Sequence, residues 1–191
     1  MKSLAAIHHS YGIPNEVVRA ETIDTPEPKK GQALVKLLRA VINPSDLGMI
    51  GGSYGRLRPL PAIAGREGVG EVVALGEDTD APKIGSIVKL PPEPGAWNQY
   101  QVCEASELVE IPDGLPLDIC AMAFINPPTA LCILETFRDL KDGDWFIQNG
   151  AGSALGYFAI QMCKARGIKT VNMLRNAESK RAELEAILKE R

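Results

Sequence analysis

A glycine-rich turn is the segment of this sequence whose residue types and spacing most directly suggest chemistry. Gly150, Gly152 and Gly156 follow the pattern G-x-G-x-x-x-G, one residue longer than the dinucleotide fingerprint G-x-G-x-x-G. Glycines in such a turn let the backbone approach a pyrophosphate, and the N-terminus of a following helix presents unpaired N–H groups to its negative charge. The alternative is a glycine-rich turn between a strand and a helix that binds nothing.

The residue types around the turn predict the elements that would position it. Residues 145–148 are predicted to form a short buried strand, and residues 170–174 a second one. A helix between them ends at Gly167, and its apolar face consists of Leu155, Phe158, Ala159, Met162 and Cys163. A last helix is predicted over residues 179–191. This order of strand, turn, helix, strand and helix is typical of a dinucleotide-binding half-domain.

The residue that follows the second predicted strand distinguishes the two dinucleotides. A carboxylate there would bond the ribose 2′-hydroxyl of NAD, whereas an arginine would pair with the 2′-phosphate of NADP. The sequence has Arg175 and Asn176, with no acidic residue before Glu178. We therefore predict NADP(H) as the cofactor. The alternative is that Arg175 is a solvated charge at a strand end.

The first part of the chain has a different pattern. Up to about residue 112, short apolar runs alternate with turns rich in glycine and proline, which is typical of a barrel or partly open barrel. The clearest runs are residues 33–38, 69–74, 86–90 and 100–103. After residue 114 the spacing becomes helical, with helices predicted over residues 117–124 and 128–137 and a break between them at residues 126–129. The sequence therefore predicts a mixed α/β chain.

Composition excludes several classes of protein. The 191-residue chain is 45% hydrophobic and 24% charged, with a formal net charge of −3. This excludes a disordered chain and argues against a general nucleic-acid binder. No apolar run is long enough to span a membrane. Because the first residues fit neither a secretory signal nor a transit peptide, we expect a soluble cytoplasmic protein, with the mitochondrial matrix as the alternative.

The cysteines argue against a structural zinc lobe. Four cysteines are present, and none has a second one within the two to four residues that such lobes use. Without a secretory signal, disulfides are not expected either. Cys120, Cys132 and Cys163 fall within apolar helical patterns, so we predict buried free thiols.

Six segments together resemble the medium-chain dehydrogenase/reductase superfamily, and most of all its zinc-free trans-2-enoyl-thioester reductases (enoyl-CoA/acyl-carrier-protein reductases) of fatty acid synthesis. They are INPSD at 42–46, GSYG at 52–55, LPAIAGREGVG at 60–70, GAW at 95–97, NPPTA at 126–130 and VNMLR at 171–175. The resemblance implies a GroES-like β-barrel domain over residues 1–115. It implies the first, incomplete part of an NADP-binding Rossmann domain over residues 116–191.

The same resemblance indicates that no metal takes part. Zinc-dependent members have a cysteine where Asn43 stands and a histidine where Arg66 stands, before a glutamate that matches Glu67. An amide and a guanidinium therefore replace two of three catalytic ligands, and a guanidinium does not bind zinc. Asn43 and Asp46 are expected either beside the nicotinamide pocket or in a purely structural turn.

The resemblance also implies an activity and its residues. NADPH would deliver hydride to Cβ of a trans-2-enoyl thioester, and Tyr54 would donate a proton to Cα. The residues that match the family's cofactor contacts are Asn126 and Thr129 on the nicotinamide side, Gly152, Ser153, Ala154 and Leu155 at the pyrophosphate, and Arg175 and Asn176 at the 2′-phosphate. Ala177 stands where relatives often have a second arginine, which implies a weaker preference for NADP over NAD. Without the resemblance, a lone tyrosine such as Tyr54 would be read as a surface or packing residue.

The sequence is also compatible with other functions. One is a quinone or enone oxidoreductase of the same superfamily, and another is an inactive truncated fragment or binding module. For the thioester reductase, the expected partner is enoyl-CoA or enoyl-acyl-carrier-protein, with neither nucleic acid nor membrane involved. The resemblance implies a homodimer for full-length relatives, but these 191 residues lack the edge strand that relatives use to dimerise and are not expected to form one. Because the second half of the nucleotide-binding domain is missing, the 191 residues alone are expected to bind NADPH poorly and not to turn over substrate.

Overall fold

The structure, a computed structural model, describes residues 1–175. The chain divides into two compact units, Met1–Met122 and a second that begins at Ala123. Asn176 and the helix predicted over residues 179–191 lie outside the described residues. Within residues 1–175, none of the helices has the length and apolar character needed to cross a membrane.

The first unit is built from strands, as the sequence predicts. They are β1 (Lys2–His8), β2 (Val18–Asp24), β3 (Gln32–Ala40), β4 (Ala62–Ile63), β5 (Gly68–Leu75), β6 (Ile87–Lys89), β7 (Tyr100–Glu104) and β8 (Val109–Glu110). One antiparallel sheet has the order β2-β1-β4, and the other has the order β7-β3-β5-β6-β8. An isolated antiparallel bridge joins Ala5 of β1 to Asn98, two residues before β7.

Two clusters of buried side chains hold this unit together. Val35, Val72 and Val88 of the larger sheet are fully buried and pack with Leu90 and Cys103. Each such side chain contributes about 1.5–3 kcal/mol when it leaves water. The second cluster joins this sheet to a short helix through Val69, Cys120 and Ala121. β-Branched side chains dominate the sheet because they fit a pleated surface.

Three short helices interrupt the strands of the first unit: α1 (Pro14–Val17), α2 (Pro44–Ile50) and α3 (Leu117–Ala121). The sequence reasoning missed α2. Pro44 stands in its first turn, and the backbone N–H of Asn43 donates to Oδ2 of Asp46 at 2.7 Å. Asn-Pro-x-Asp is a recognisable helix start, since proline needs no donor there and the acid returns a bond to the cap. Asn43 and Asp46 therefore have a structural role at the start of α2.

The second unit contains a strand–helix–strand motif preceded by a helix. Its elements are α4 (Asn126–Cys132), which continues as a π-helical turn over Ile133–Phe137, then β9 (Trp145–Gln148), α5 (Ala154–Ala165) and β10 (Lys169–Asn172). β9 and β10 are parallel, with Trp145 opposite Lys169 and Gln148 opposite Asn172. Together with the strand-rich first unit, this confirms the predicted mixed α/β architecture.

Several details of the prediction are wrong. The segment expected to break the helices, residues 126–129, is the first turn of α4, where Pro127 and Pro128 cost no hydrogen bond. β9 is not buried, because Trp145 and Ile147 are 65% and 67% exposed. Cys132 is an exposed thiol, whereas Cys103, Cys120 and Cys163 are buried. A short apolar run does not reveal which of its faces is covered, and this explains the error in β9.

Candidate functional site

The predicted pyrophosphate turn lies between β9 and α5. Gly150 adopts a positive φ of 61°, which an L side chain rarely takes. Ser153 caps α5, its Oγ accepting the backbone N–H of Gly156 at 3.1 Å. The structure therefore brings together Gly152, Ser153, Ala154 and Leu155 at the N-terminus of a twelve-residue helix, where the helix dipole favours an anion.

The last glycine of the pattern has a packing role. A Cβ placed on Gly156 would lie 2.6 Å from the carbonyl oxygen of Ala151, so only glycine allows the helix to approach the turn so closely. At Gly152, by contrast, the first heavy atom that a Cβ would meet is Cδ2 of Leu174 at 3.6 Å, an ordinary contact. A side chain at position 152 would therefore not disturb the fold. It would instead occupy open space at the turn, where a pyrophosphate would be expected to bind.

Two amides that the sequence reasoning missed tie the turn to both strands. Gln148 Nε2 donates to Asn172 Oδ1 at 2.7 Å and to the Gly156 carbonyl at 3.2 Å. Asn172 Nδ2 in turn donates to Thr170 Oγ1 at 2.9 Å. The hydrogen bond between Gln148 and Asn172 follows from the parallel register, which places them side by side at the carboxyl ends of their strands. Ligands of α/β sheets bind at that edge.

The other predicted cofactor residues occupy separate positions in the second unit. Arg175 is exposed, three residues beyond the end of β10. Asn126 and Thr129 lie on the first turn of α4, and Thr129 Oγ1 donates to the Ile125 carbonyl at 2.5 Å. Asn176 lies outside the described residues.

Tyr54 lies in the loop after α2, in the first unit. It is 42% exposed, and its phenol oxygen makes no hydrogen bond within residues 1–175. Cζ of Arg66 lies 5.7 Å from the centre of its ring. The residue predicted to donate a proton is therefore accessible, and its hydroxyl has no partner among the described side chains.

Arg58, which the sequence reasoning missed, anchors this loop. Its Nη1 donates to the carbonyls of Ile63 and Gly65 at 2.9 and 3.0 Å. Its Nε pairs with Glu93 Oε2 at 2.8 Å. Its carbonyl accepts the Tyr11 hydroxyl at 2.7 Å. A guanidinium with several backbone partners holds an irregular loop in place, because its five donors form a rigid planar fork.

Two buried acids lie beside Asn43, at the start of α2. Asp46 and Glu67 are 1% and 2% exposed, and Asn43 bonds both, since its Nδ2 donates to Glu67 Oε2 at 3.1 Å and its backbone N–H to Asp46. Burial raises the pKa of Asp46, while the bond from Asn43 and the positive charges of Arg66 and Arg58 act in the opposite direction. Within the described range, no group of three or more His, Cys, Asp and Glu side chains is arranged to hold a metal ion.

Comparison with known proteins identifies related sequences over nearly the whole chain. Residues 29–113 match the family model of the alcohol dehydrogenase GroES-like domain. The mitochondrial enoyl-[acyl-carrier-protein] reductase of Caenorhabditis elegans is 38% identical over 180 residues, which is 94% of this chain and 52% of that protein. The Arabidopsis thaliana protein of the same name is 38% identical over 189 residues. The chain thus spans about half the length of the curated relatives it matches.

Solved structures also match nearly the whole of this chain and little more than half of their own. Etr1p, an enoyl thioester reductase of Candida tropicalis solved with NADP and crotonyl-CoA, superposes with a TM-score of 0.89 at 26% identity, covering 100% of this chain and 58% of that chain. A structure described as a putative NADPH:quinone reductase from Bacillus thuringiensis gives a TM-score of 0.85 at 30% identity, covering 97% of this chain and 56% of that chain.

Proposed function

The chain belongs to the medium-chain dehydrogenase/reductase superfamily. We therefore propose that the protein containing this chain reduces the C2–C3 double bond of trans-2-enoyl thioesters with NADPH. The observation that carries the proposal is the likeness to enoyl-acyl-carrier-protein reductases, which extends over 94% of this chain. The accessible phenol of Tyr54 supports it. The activity, the substrate and the partners are those of the whole protein.

The second unit fits a bound dinucleotide. The open space at Gly152 and the capped N-terminus of α5 suit a pyrophosphate, and the exposed guanidinium of Arg175 suits a 2′-phosphate. Asn126 and Thr129, one turn apart on α4, are proposed for the nicotinamide side. When bound, NADPH supplies the hydride that adds to Cβ of the substrate.

The first unit supplies the proton. Once Cβ has gained a hydride, the substrate is an enolate whose negative charge needs hydrogen-bond donors. We assign Tyr54 to protonate Cα: its O–H bond breaks, the Cα–H bond forms, and solvent returns a proton to the phenolate. A phenol suits this task because it stays protonated at neutral pH and donates a single proton.

Replacing Tyr54 by phenylalanine in the active, full-length protein tests this assignment. We expect kcat for crotonyl-CoA to fall at least a hundredfold, as is typical of a lost general acid (about 10²–10⁴-fold), with little change in NADPH affinity. Tyr100→Phe, which removes a hydroxyl from β7, serves as the control. Normal turnover by Tyr54→Phe would exclude Tyr54 from the mechanism.

A quinone reductase is the second candidate, and the Bacillus thuringiensis structure favours it. A direct comparison of crotonyl-CoA and a quinone as acceptors, both with NADPH, separates the two functions. We expect preference for the thioester. A strong preference for the quinone would overturn the proposal while leaving the cofactor assignment intact.

We further propose that the protein is a dimer in the mitochondrial matrix. The mitochondrial names of the relatives support this compartment over the cytoplasm, and the Candida tropicalis reductase has been solved as a heterodimer. Fractionation of cells expressing the tagged full-length protein, followed by light scattering of the purified material, tests both statements. A cytosolic monomer would refute them.

A further inference from the structure

The ring of Tyr54 lies between the backbone of α2 and a charged side chain. On one side the ring lies against the backbone of α2, where a Cβ added to Gly48 would stand 3.6 Å from Tyr54 Cδ2. Over its face lies the guanidinium of Arg66, with Cζ 5.7 Å from the ring centre. A cation within about 6 Å of a ring centre is attracted to the negative face of the ring. Arg66 therefore provides the charged contact of this tyrosine.

Arg66 is itself held in a well-defined position. It is half-buried between Gly65 and Glu67, whose carbonyls accept the backbone N–H groups of Ala96 and Val41 at 3.1 and 3.3 Å. The fully buried carboxyl group of Asp46 lies within the range of its charge. Because burial reduces screening by water, this attraction is stronger than between two exposed charges.

We propose that Arg66 is a positioning residue for Tyr54, its charge fixing the ring so that the hydroxyl keeps one orientation. The proposal rests on the proposed function only insofar as Tyr54 has a proton to deliver; the contact between the two side chains does not depend on it. Two consequences follow for the reaction. The donor is pre-oriented, and the phenolate left after proton transfer lies beside a positive charge.

The contact can be measured without catalysis. The chain has four tyrosines, so incorporation of 3-fluorotyrosine gives four ¹⁹F signals, and Tyr54→Phe identifies the one from Tyr54. We expect Arg66→Gln to change the chemical shift and the linewidth of that signal alone. Arg66→Lys should leave its chemical shift close to the wild-type value. An unchanged Tyr54 signal in Arg66→Gln would overturn the proposal. Arg66→Met, which keeps the apolar stem, replaces Arg66→Gln if that variant fails to fold.

Kinetics of the full-length protein test the functional consequence. We expect Arg66→Gln to lower kcat about two- to fivefold with unchanged KM for NADPH, and Arg66→Lys to restore most of the loss. In a Tyr54→Phe background, Arg66→Gln should cost nothing further, because the residue acts through Tyr54. Additive losses would overturn the proposal. A fully active Tyr54→Phe variant would instead overturn the assignment of Tyr54, and the ¹⁹F result would still decide whether Arg66 holds the ring.

Discussion

The carboxyl group of Asp46 illustrates how a single residue serves the fold at an electrostatic cost. It accepts the backbone N–H of Asn43 and so starts α2, the helix that leads into the Tyr54 loop. Yet it is 1% exposed, and burial raises its pKa despite the nearby charges of Arg66 and Arg58. A raised pKa means that the folded state binds a proton more tightly than the unfolded chain does.

This gives a pH dependence with a definite sign. As pH falls from 7 towards the ordinary carboxyl value of 3.8, the folded protein takes up a proton at Asp46 before the unfolded chain does. Protonation therefore relieves the cost of burying this charge, and the folded state gains stability. Asp46→Asn removes that contribution. We expect urea unfolding to show the wild type gaining stability relative to Asp46→Asn as pH falls from 7 to 4. The exposed Asp113→Asn variant gives the baseline for losing one carboxyl group. A difference that is independent of pH would contradict the expectation.

Arg175 makes a second prediction at the residue scale, concerning the choice of dinucleotide. Its side chain is exposed and is the one proposed above for the 2′-phosphate, and a charge-assisted hydrogen bond is worth about 1.5–3 kcal/mol. In the full-length protein we expect Arg175→Ala to raise the Kd of NADPH by about ten- to a hundredfold and to leave that of NADH unchanged. Arg138→Ala, an exposed arginine of the same unit, is the matched control. A wild-type protein that binds NADH more tightly than NADPH would refute the NADP assignment.

At the scale of elements, local periodicity explains which parts of the fold could be predicted. α5 runs for twelve residues, long enough for its apolar face to repeat, and its glycine-rich start is a chemical signal of its own. α2 has seven residues, two turns, and only its first four residues carry a signal. The pairing of Arg66 with Tyr54 could not be predicted, because it depends on how the fold brings the loop after α2 to the segment before β5 and not on sequence spacing.

The glycine before Arg66 lies at a point where the backbone passes very close to the side chain of Trp97. Gly65 has a φ of 80°, and a Cβ there would overlap the indole ring of Trp97, whose Nε1 donates to the Val41 carbonyl at 2.9 Å. Gly31 has a similar φ of 78° but nothing within 4 Å. The two glycines therefore separate the cost of backbone strain from the cost of steric overlap.

We expect Gly31→Ala to lower the free energy of unfolding by about 1 kcal/mol through backbone strain alone. Gly65→Ala should cost about 3 kcal/mol, because the overpacked indole must move as well. Chemical denaturation monitored by tryptophan fluorescence measures both. Equal losses in the two variants would mean that Trp97 yields without cost, contrary to the contact described here.

At the scale of the whole molecule, each of the two units has buried apolar clusters of its own. The first has two buried clusters of its own. In the second, one cluster within the described residues is built around Leu134, Cys163 and Ile168. Trp145, Ile147 and Val171 on its strands, and Met173 just after β10, are exposed. Exposed apolar patches of this kind mark surfaces that other protein segments cover. Because both of its clusters are formed by its own residues, we expect the first unit to be stable without the second.

A fragment of residues 1–122 should consequently fold alone. We expect cooperative thermal unfolding and a dispersed NMR spectrum, because both sheets and both clusters lie within it. Val72→Ala, at a fully buried position, should destabilise the fragment and the 191-residue chain by the same amount, about 2 kcal/mol. The exposed Leu115→Ala is the matched control, with an expected change below about 0.5 kcal/mol. A fragment that unfolds without cooperativity, or a Val72→Ala loss seen only in the longer chain, would show that the first unit needs residues beyond Met122 to hold its core.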